Sequence, residues 1–537
     1  MDTGSCRTIK YVFLFEIVKI SIYLLSDNKG IIICLYCIRG FINLITRLVI
    51  MLITKRTIYI AVLSLICFSI EVYGQSYEER RQRLLQEYQN NRQNILDNYE
   101  QAREKINKRF SDVLGHEWKA ASEKTVTHNP IRDIPSVPPE KAPKGISDPF
   151  LKTDDRVLRV EKGPKKSLYP ITEIVDNPQG SQTRIRASFY GCQISVRFDL
   201  KDRIYLQSNN PSGVKTLWDK FSSIGYTNLI YDFNDIRRRL DLCDWATLKL
   251  AQKVSEMVYG NNDSNESVIL QSYLLSQCGL LTSFLYDTNS QLHLLIAADK
   301  QLDDYPEYNV DGVSMFQVDL KDVDENLTPH NSFDGLAPFR MAISRPGLLA
   351  GEPQKTDKGA NVNSNYISFY SDYPVFYDAK DQLSMYYYVA SVSLSDEVQK
   401  TLYPYLKSKM EGYNEVECVQ LLLVYFYKIF RYEVDENVWG EDRRFFPEET
   451  LFYKFSDCED NAILFSRIVR DLLGLKTVLV YMPEHVCAAV RFSEYVPGDA
   501  EVVNGERYVI CDPTFSDAIV GQGMDRWKNS KTIVIEL

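Results

Sequence analysis

KFSDCEDNAILFSRIVRDLLG, residues 454–474, sets a cysteine among three carboxylates at the mouth of an apolar helix. Ile463, Leu464, Ile468, Leu472 and Leu473 recur at helical spacing and Gly474 supplies a stop, so the stretch predicts an amphipathic helix with Cys458 in its first turn. A cysteine that only filled a core is expected deeper in such a helix. At the N-terminus the unpaired N–H groups and the helix dipole favour a thiolate. Asp457, Glu459 and Asp460 oppose that effect, so the thiol needs a basic partner.

Working outward, the strand-like run TVLVYM (477–482) leads to Pro483, Glu484 and His485, the only histidine after His330. GERYVICDPTF (505–515) reads as a further strand ending on Asp512. Cys458, His485 and Asp512 are 27 and 27 residues apart, a spacing that suits a helix, a strand and a returning strand. In that order they fit the roles of nucleophile, general base and orienter of the imidazole. Taken singly, each has a plainer reading as core thiol, satisfied polar residue and turn. Strand alternation also places Cys487 on the face of His485 and Cys511 away from Asp512, so these two sulfurs are not expected to bond.

DCEDNAILFSRIVRDLLGL, PEHVCAAVRF and YVICDPTF together resemble the Cys, His and Asp blocks of the transglutaminase-like superfamily over roughly residues 400 to 537. The resemblance implies a papain-like α+β fold, with Cys458 as nucleophile, His485 as general base and acid, and Asp512 as orienter. Val486 departs from the pattern, because many members carry an aromatic or small residue after the histidine. Oxyanion donors are not legible; the Cys458 N–H is a candidate and Trp439 is a guess. The expected chemistry is acyl transfer from an amide or peptide through a thioester. Hydrolysis is preferred to cross-linking, because nothing specifies an amine site. The rival reading is a non-catalytic surface or periplasmic scaffold whose triad is vestigial.

A chain of 537 residues with 45% hydrophobic and 25% charged residues suggests two or three globular domains. Its net charge of −10 gives no basic footprint for nucleic acid. No cofactor or metal motif is expected, and the partner called for is a peptide or protein substrate. Residues 1–50 contain apolar runs broken by Glu16, Lys19, Arg39 and Arg47 and read as an over-extended gene model. Residues 51–74 read as a signal peptide: Lys55 and Arg56, an apolar stretch from Ile58 to Ile70, and small-residue cleavage signals at Val72 and Gly74. Export to the periplasm, cell surface or medium after cleavage near Gly74 is therefore expected, with a membrane-anchored N-terminus as the competing reading.

Tyr77, Tyr88, Tyr99 and Phe110 open successive 11-residue repeats in which Leu84, Ile95 and Ile106 hold the eighth position. One apolar stripe of this kind predicts a long coiled-coil-like helix over 75–118, self-associating or laid on the protein's own body through residues 77–110. A Pro-rich linker is expected over 119–155. From 156 to 335 the chain echoes the catalytic segment: a separation of 192 to 193 residues relates Glu266 to Glu459, His293 to His485 and Asp319 to Asp512, and SFY recurs at 188 and 368. Asn265 stands where the active half, 336–537, has Cys458. The upstream segment is thus expected to be a degenerate copy that binds without catalysing.

Overall fold

The computed structural model describes residues 180–319, 336–343 and 351–537 apart from a few single positions, together with short pieces between 81 and 160 and at 327–328. The expected upstream extension, residues 1–50, and the expected signal peptide, residues 51–74, lie outside the described residues, as does most of the linker. Among the described residues no helix is long and apolar enough to cross a membrane. Two compact units divide the chain, Met1–Asn94 and Ile95–Leu537. In the first, the described positions of the repeat segment, residues 81–83, 85–87 and 90, are helical. All that follows concerns the second, which is mixed α+β.

Its upstream half opens on a hairpin, β1 (Arg184–Phe189) and β2 (Cys192–Arg197), followed by four helices: α1 (Pro211–Phe221), α2 (Ile224–Arg239), α3 (Asp244–Tyr259) and α4 (Asn265–Gln277). Ser264 caps α4 by accepting a hydrogen bond from the Ser267 N–H, which satisfies one of the orphan donors of the first turn. The strands β3 (Thr282–Tyr286), β4 (Leu292–Ala297), β5 (Glu307–Val310) and β6 (Val313–Gln317) then form an antiparallel sheet in the order β3-β4-β6-β5.

After short strands and a helix over Ser364–Ser371, the downstream half runs through α5 (Ser384–Ser391), α6 (Asp396–Met410) and α7 (Glu415–Ile429), and continues through a parallel pair of two-residue strands, β7 (Arg431–Tyr432) and β8 (Phe455–Ser456). The predicted helix is α8, Cys458–Leu473, and it stops at Gly474, whose φ of +67° a side-chain-bearing residue adopts only with strain. Then come β9 (Thr477–Met482), β10 (His485–Val490), β11 (Ala500–Val503), β12 (Glu506–Cys511) and β13 (Ile533–Glu536) in the sheet order β11-β12-β10-β9-β13. Asn504 and Gly505, at φ +53° and +80°, make the two-residue turn between β11 and β12 that such hairpins demand.

The two halves therefore run through the same series. A helix leads to a strand pair, then to a hairpin whose second strand pairs with the second strand of the pair. A further strand, Leu327–Thr328 upstream and β13 downstream, closes onto the first. They also exchange ends. Val157–Leu158, from the upstream side, adds in parallel to β13, and Ala337 and Phe339, beyond the expected boundary at 335, bridge to Leu280 and Ala298.

Strand alternation divides the downstream sheet into two faces. Val486, Ala488, Val490 and Cys511 belong with the apolar side of α8 to one large core, whereas Cys487, Ala489, Val480 and Ile510 form a smaller cluster. Cys487 and Cys511 are free thiols and sit in different clusters, as the period-2 reading expects.

The end of the repeat segment is part of the upstream core rather than a stalk held off by a linker. Phe110 and Leu114 are fully buried, and the Phe110 ring lies 4.0 Å from that of Trp218, centroid to centroid. Asn107 Nδ2 donates to Gln277 Oε1, and Gln277 Nε2 donates back to Asn107 Oδ1 at 2.8 Å. Phe110→Ala should therefore cost about 3–5 kcal/mol, the range for deleting a buried ring. Urea unfolding of the full chain is the check; a loss within a few tenths of a kcal/mol would show that this contact is not part of the folded core.

Candidate active site

Cys458 is the first residue of α8, as the spacing predicts, but at 2% exposed it is as buried as a core thiol. Burial follows from what surrounds the first turn. Asp460 accepts from the Phe445 N–H at 2.9 Å and, more loosely at 3.5 Å, from the Asp457 N–H, which draws the 443–446 loop over the helix end. Asn461 Nδ2 donates to the Asp457 carbonyl at 2.5 Å. Asp460 thus has a structural role that the sequence alone did not supply.

The thiol donates to Glu459 Oε2 at 3.0 Å and receives the Val486 N–H. Burial pushes the Cys458 thiol well above its ordinary value, and the charges of Glu459 and Asp457 push it further; the Val486 N–H acts the other way. Cys458 is accordingly a neutral thiol at pH 7 in this arrangement.

His485 opens β10, one residue before Val486, and it follows a tight turn in which Glu484 takes φ +60°. Its Nε2 lies 2.7 Å from Asp512 Oδ2, and both side chains are almost fully buried. Burial alone would raise the Asp512 carboxyl. The His485 charge and hydrogen bond, with the N–H and Oγ1–H of Thr514 on Oδ1, hold it below the usual carboxylate range instead. The structure therefore joins two of the three expected residues directly and puts the third against the neighbouring backbone N–H. By alternation His485 shares the side of Cys487, opposite the face on which α8 packs, so the thiol meets the start of β10 rather than its His485 face.

Several groups here were not singled out in the sequence. Tyr432 lies across from Ser456 in the β7–β8 pair, and its hydroxyl is kept protonated by burial and by the ionisable Cys458, Asp457, Glu459 and Asp512 around it. Tyr386 of α5 is raised for similar reasons, with Arg444 opposing. The buried Arg444 binds Asp442 at 2.6 Å, and Asp435 accepts from the Arg443 N–H at 2.7 Å. Burial and the Glu459 charge raise Asp435 to about 8, while burial, offset by Arg444, leaves Asp442 at about 6. The acid-rich run EVDENVWGEDRR (433–444) was the available signal for them. Trp439, by contrast, packs on Phe445, Tyr453 and the Arg443 guanidinium.

Asp457, Cys458 and Glu459 present ligand atoms within 4.8 Å of one another, a donor set chemically able to take a divalent cation. Upstream, Asn265 likewise begins its helix. Its Oδ1 accepts from the Leu292 N–H at 2.8 Å and its Nδ2 donates to the Ser290 carbonyl at 2.9 Å. His293 Nδ1 is 2.6 Å from Asp319 Oδ2, with Asp287 3.6 Å from the other ring nitrogen. The matched positions therefore come together at one end of the upstream sheet. No protein-family model matches the chain, and no curated protein matches it in sequence.

Glu459→Gln should lower the thiol's pKa by removing the nearest negative charge, so alkylation of Cys458 by iodoacetamide at pH 7.5 should speed up several-fold, about tenfold for each unit of pKa lost. The readout is the pH–rate profile, which should move to lower pH. A slower reaction would instead identify Glu459 as the thiol's proton acceptor.

Proposed function

We propose that the downstream half is a transglutaminase-like domain of papain-like type that transfers an acyl group from an amide or peptide to water. The observation that carries this reading is the buried His485–Asp512 pair, one residue along β10 from the N–H that meets Cys458 Sγ. In the proposed reaction Sγ, once released from Glu459, turns past the start of β10 toward His485, whose Nδ1 takes the thiol proton while Nε2–H donates to Asp512, which keeps the tautomer and orientation fixed. The thiolate adds to the carbonyl carbon, and the amine leaves with the proton returned by the imidazolium. Water, deprotonated by the same imidazole, then releases the acid and restores the thiol. Tyr432 and the Cys458 N–H are the groups nearest to hand for the oxyanion.

Burial of the thiol supports the rival reading of a binding scaffold with a vestigial triad. A substrate must displace the Glu459 contact before Cys458 can ionise. Upstream, residues 156–335 are proposed as a degenerate copy: Asn265 has a neutral carboxamide where a nucleophile is needed, which suits binding rather than chemistry. The leader read from Lys55, Arg56 and the following apolar stretch supports export.

A peptide-amide electrophile carrying a reporter tests both readings on the full chain. Labelling should fall on Cys458 and vanish in Cys458→Ala. Asp512→Asn should slow it by about a hundredfold or more, with circular dichroism unchanged. Labelling that is indifferent to His485→Gln, or that falls on other thiols at equal rates, leaves the scaffold reading standing.

A further inference from the structure

The hairpin β1–β2 turns one face to the core and keeps the other polar. Its register sets Arg184 opposite Arg197, Arg186 opposite Ser195 and Ser188 opposite Gln193, so these side chains share one side of the ribbon. The alternate residues, among them Ile194 and Val196, are buried in the large core. Where α2 passes the polar face, a hollow of about 380 Å³ is left between them, lined by Arg184, Gln193 and Ser195 from the hairpin and by Tyr231, Asp232 and Arg239 from α2.

Pairing within the wall decides the sign of this surface. Asp232 is spent on Arg197: its carboxylate accepts from the Arg197 backbone N–H at 2.7 Å, from Nη2 at 2.8 Å and from Nε at 3.0 Å, and both side chains are buried. Asp235, the other acid of the wall, lies 3.5 Å from Arg238. Arg184 is left with loose contacts, 3.4 Å to Ser195 Oγ and 3.8 Å to the Asp232 oxygen that Arg197 already holds. Arg239 and Arg186 are exposed and have no ionic partner among the described residues. Arg184, Arg186 and Arg239 therefore stand together without a carboxylate to themselves, on a chain whose net charge is −10.

We propose that this face binds a short acidic segment of a peptide chain in extended conformation. A guanidinium fork matches a carboxylate in bidentate geometry, which gives direction as well as charge. Arg184 and Arg186 are two residues apart on one strand, about 6.8 Å of rise, and an extended peptide repeats its own side chains on one face at that same distance. Carboxylates at alternate positions thus meet successive arginines, while Ser195 and Gln193 offer hydrogen bonds beside them. A long polyanion fits less well, because it runs past three arginines onto a chain of net negative charge. Exposed ion pairs are individually weak and screened by salt, so the binding is modest and salt-sensitive. The site stands whether or not Cys458 is a nucleophile.

Fluorescence polarisation with dye-labelled, C-amidated hexapeptides tests this on the full chain at about 20 mM salt. The probes are Glu-Ser-Glu-Ser-Glu-Ser, its blocked isomer Ser-Ser-Ser-Glu-Glu-Glu, the lysine counterpart Lys-Ser-Lys-Ser-Lys-Ser, and an oligogalacturonate of equal charge to the acidic pair. The alternating acidic peptide should bind with a Kd below about 1 mM, about threefold or more tighter than its isomer and than the oligogalacturonate, and several-fold more weakly at about 150 mM salt. The lysine peptide should not bind. Arg186→Gln and Arg239→Gln, both at exposed positions, should each weaken binding several-fold with circular dichroism unchanged, whereas Lys400→Gln, an exposed charge on α6, should leave it as it is. Equal binding of the two acidic peptides, tighter binding of the oligogalacturonate, indifference to both arginine substitutions, or no binding of the alternating peptide at about 1 mM would each overturn the proposal.

Discussion

One constraint organises the downstream half: more carboxylates than cations are taken out of water at the mouth of α8. Asp435, Asp457, Glu459 and Asp460 are all 5% exposed or less, and Asp442 joins them with the buried Arg444. Buried charge is costly unless it is paired, hydrogen-bonded or neutralised. All three remedies are in use. Arg444 pairs with Asp442, backbone N–H groups of Arg443 and Phe445 reach Asp435 and Asp460, and burial raises Asp435 far enough to hold its proton near neutrality. The backbone donors tie the 443–446 loop to the helix end that carries the buried Cys458.

The same topology is finished differently upstream, and the contrast shows what a thiol leaves undone. Asn265, at the start of its helix, spends both ends of its carboxamide on the loop before β4, accepting from Leu292 and donating to Ser290. A cysteine at that place can offer one weak donor and one weak acceptor. Downstream, Sγ takes the Val486 N–H and gives its proton to Glu459, and the connection to β10 is a two-residue turn that needs no such clamp. The amide therefore closes structurally what the thiol keeps chemically convertible. His293 has Asp319 2.6 Å from Nδ1 and Asp287 3.6 Å from Nε2, and His485 has Asp512 2.7 Å from Nε2.

Much of this was legible in the sequence because it depends on period and order. The helix from Cys458 to Gly474, the strand beginning at His485, the strand ending before Asp512 and the separation of Cys487 from Cys511 all follow from local spacing. The matched order of elements upstream was legible through the constant separation of Glu266, His293 and Asp319 from their counterparts. What was not legible depends on contacts distant in sequence. Nothing local tells that Val157–Leu158 joins β13, or that Phe110 ends in the upstream core. The Phe445 N–H that binds Asp460 comes from a loop 15 residues away, and Tyr432 reaches the site through a two-residue parallel pairing too short to leave a pattern.

The electrostatics also restrict how any chemistry at Cys458 could proceed. A thiol raised by burial and by two adjacent carboxylates does not supply a standing thiolate, so ionisation has to be coupled to occupancy of the site. A ligand that excludes Glu459 from Sγ removes the hydrogen bond that favours the neutral form and, with it, part of the negative field. The Val486 N–H, the opposing influence already in place, then acts on a sulfur with less charge against it. His485 differs in being ready beforehand, because Asp512, held below the usual carboxylate range by that same contact and by Thr514, stays charged to orient the imidazole. On the proposed assignment the base is preorganised and the nucleophile is not, which makes displacement of one carboxylate, Glu459, the step on which reactivity would turn.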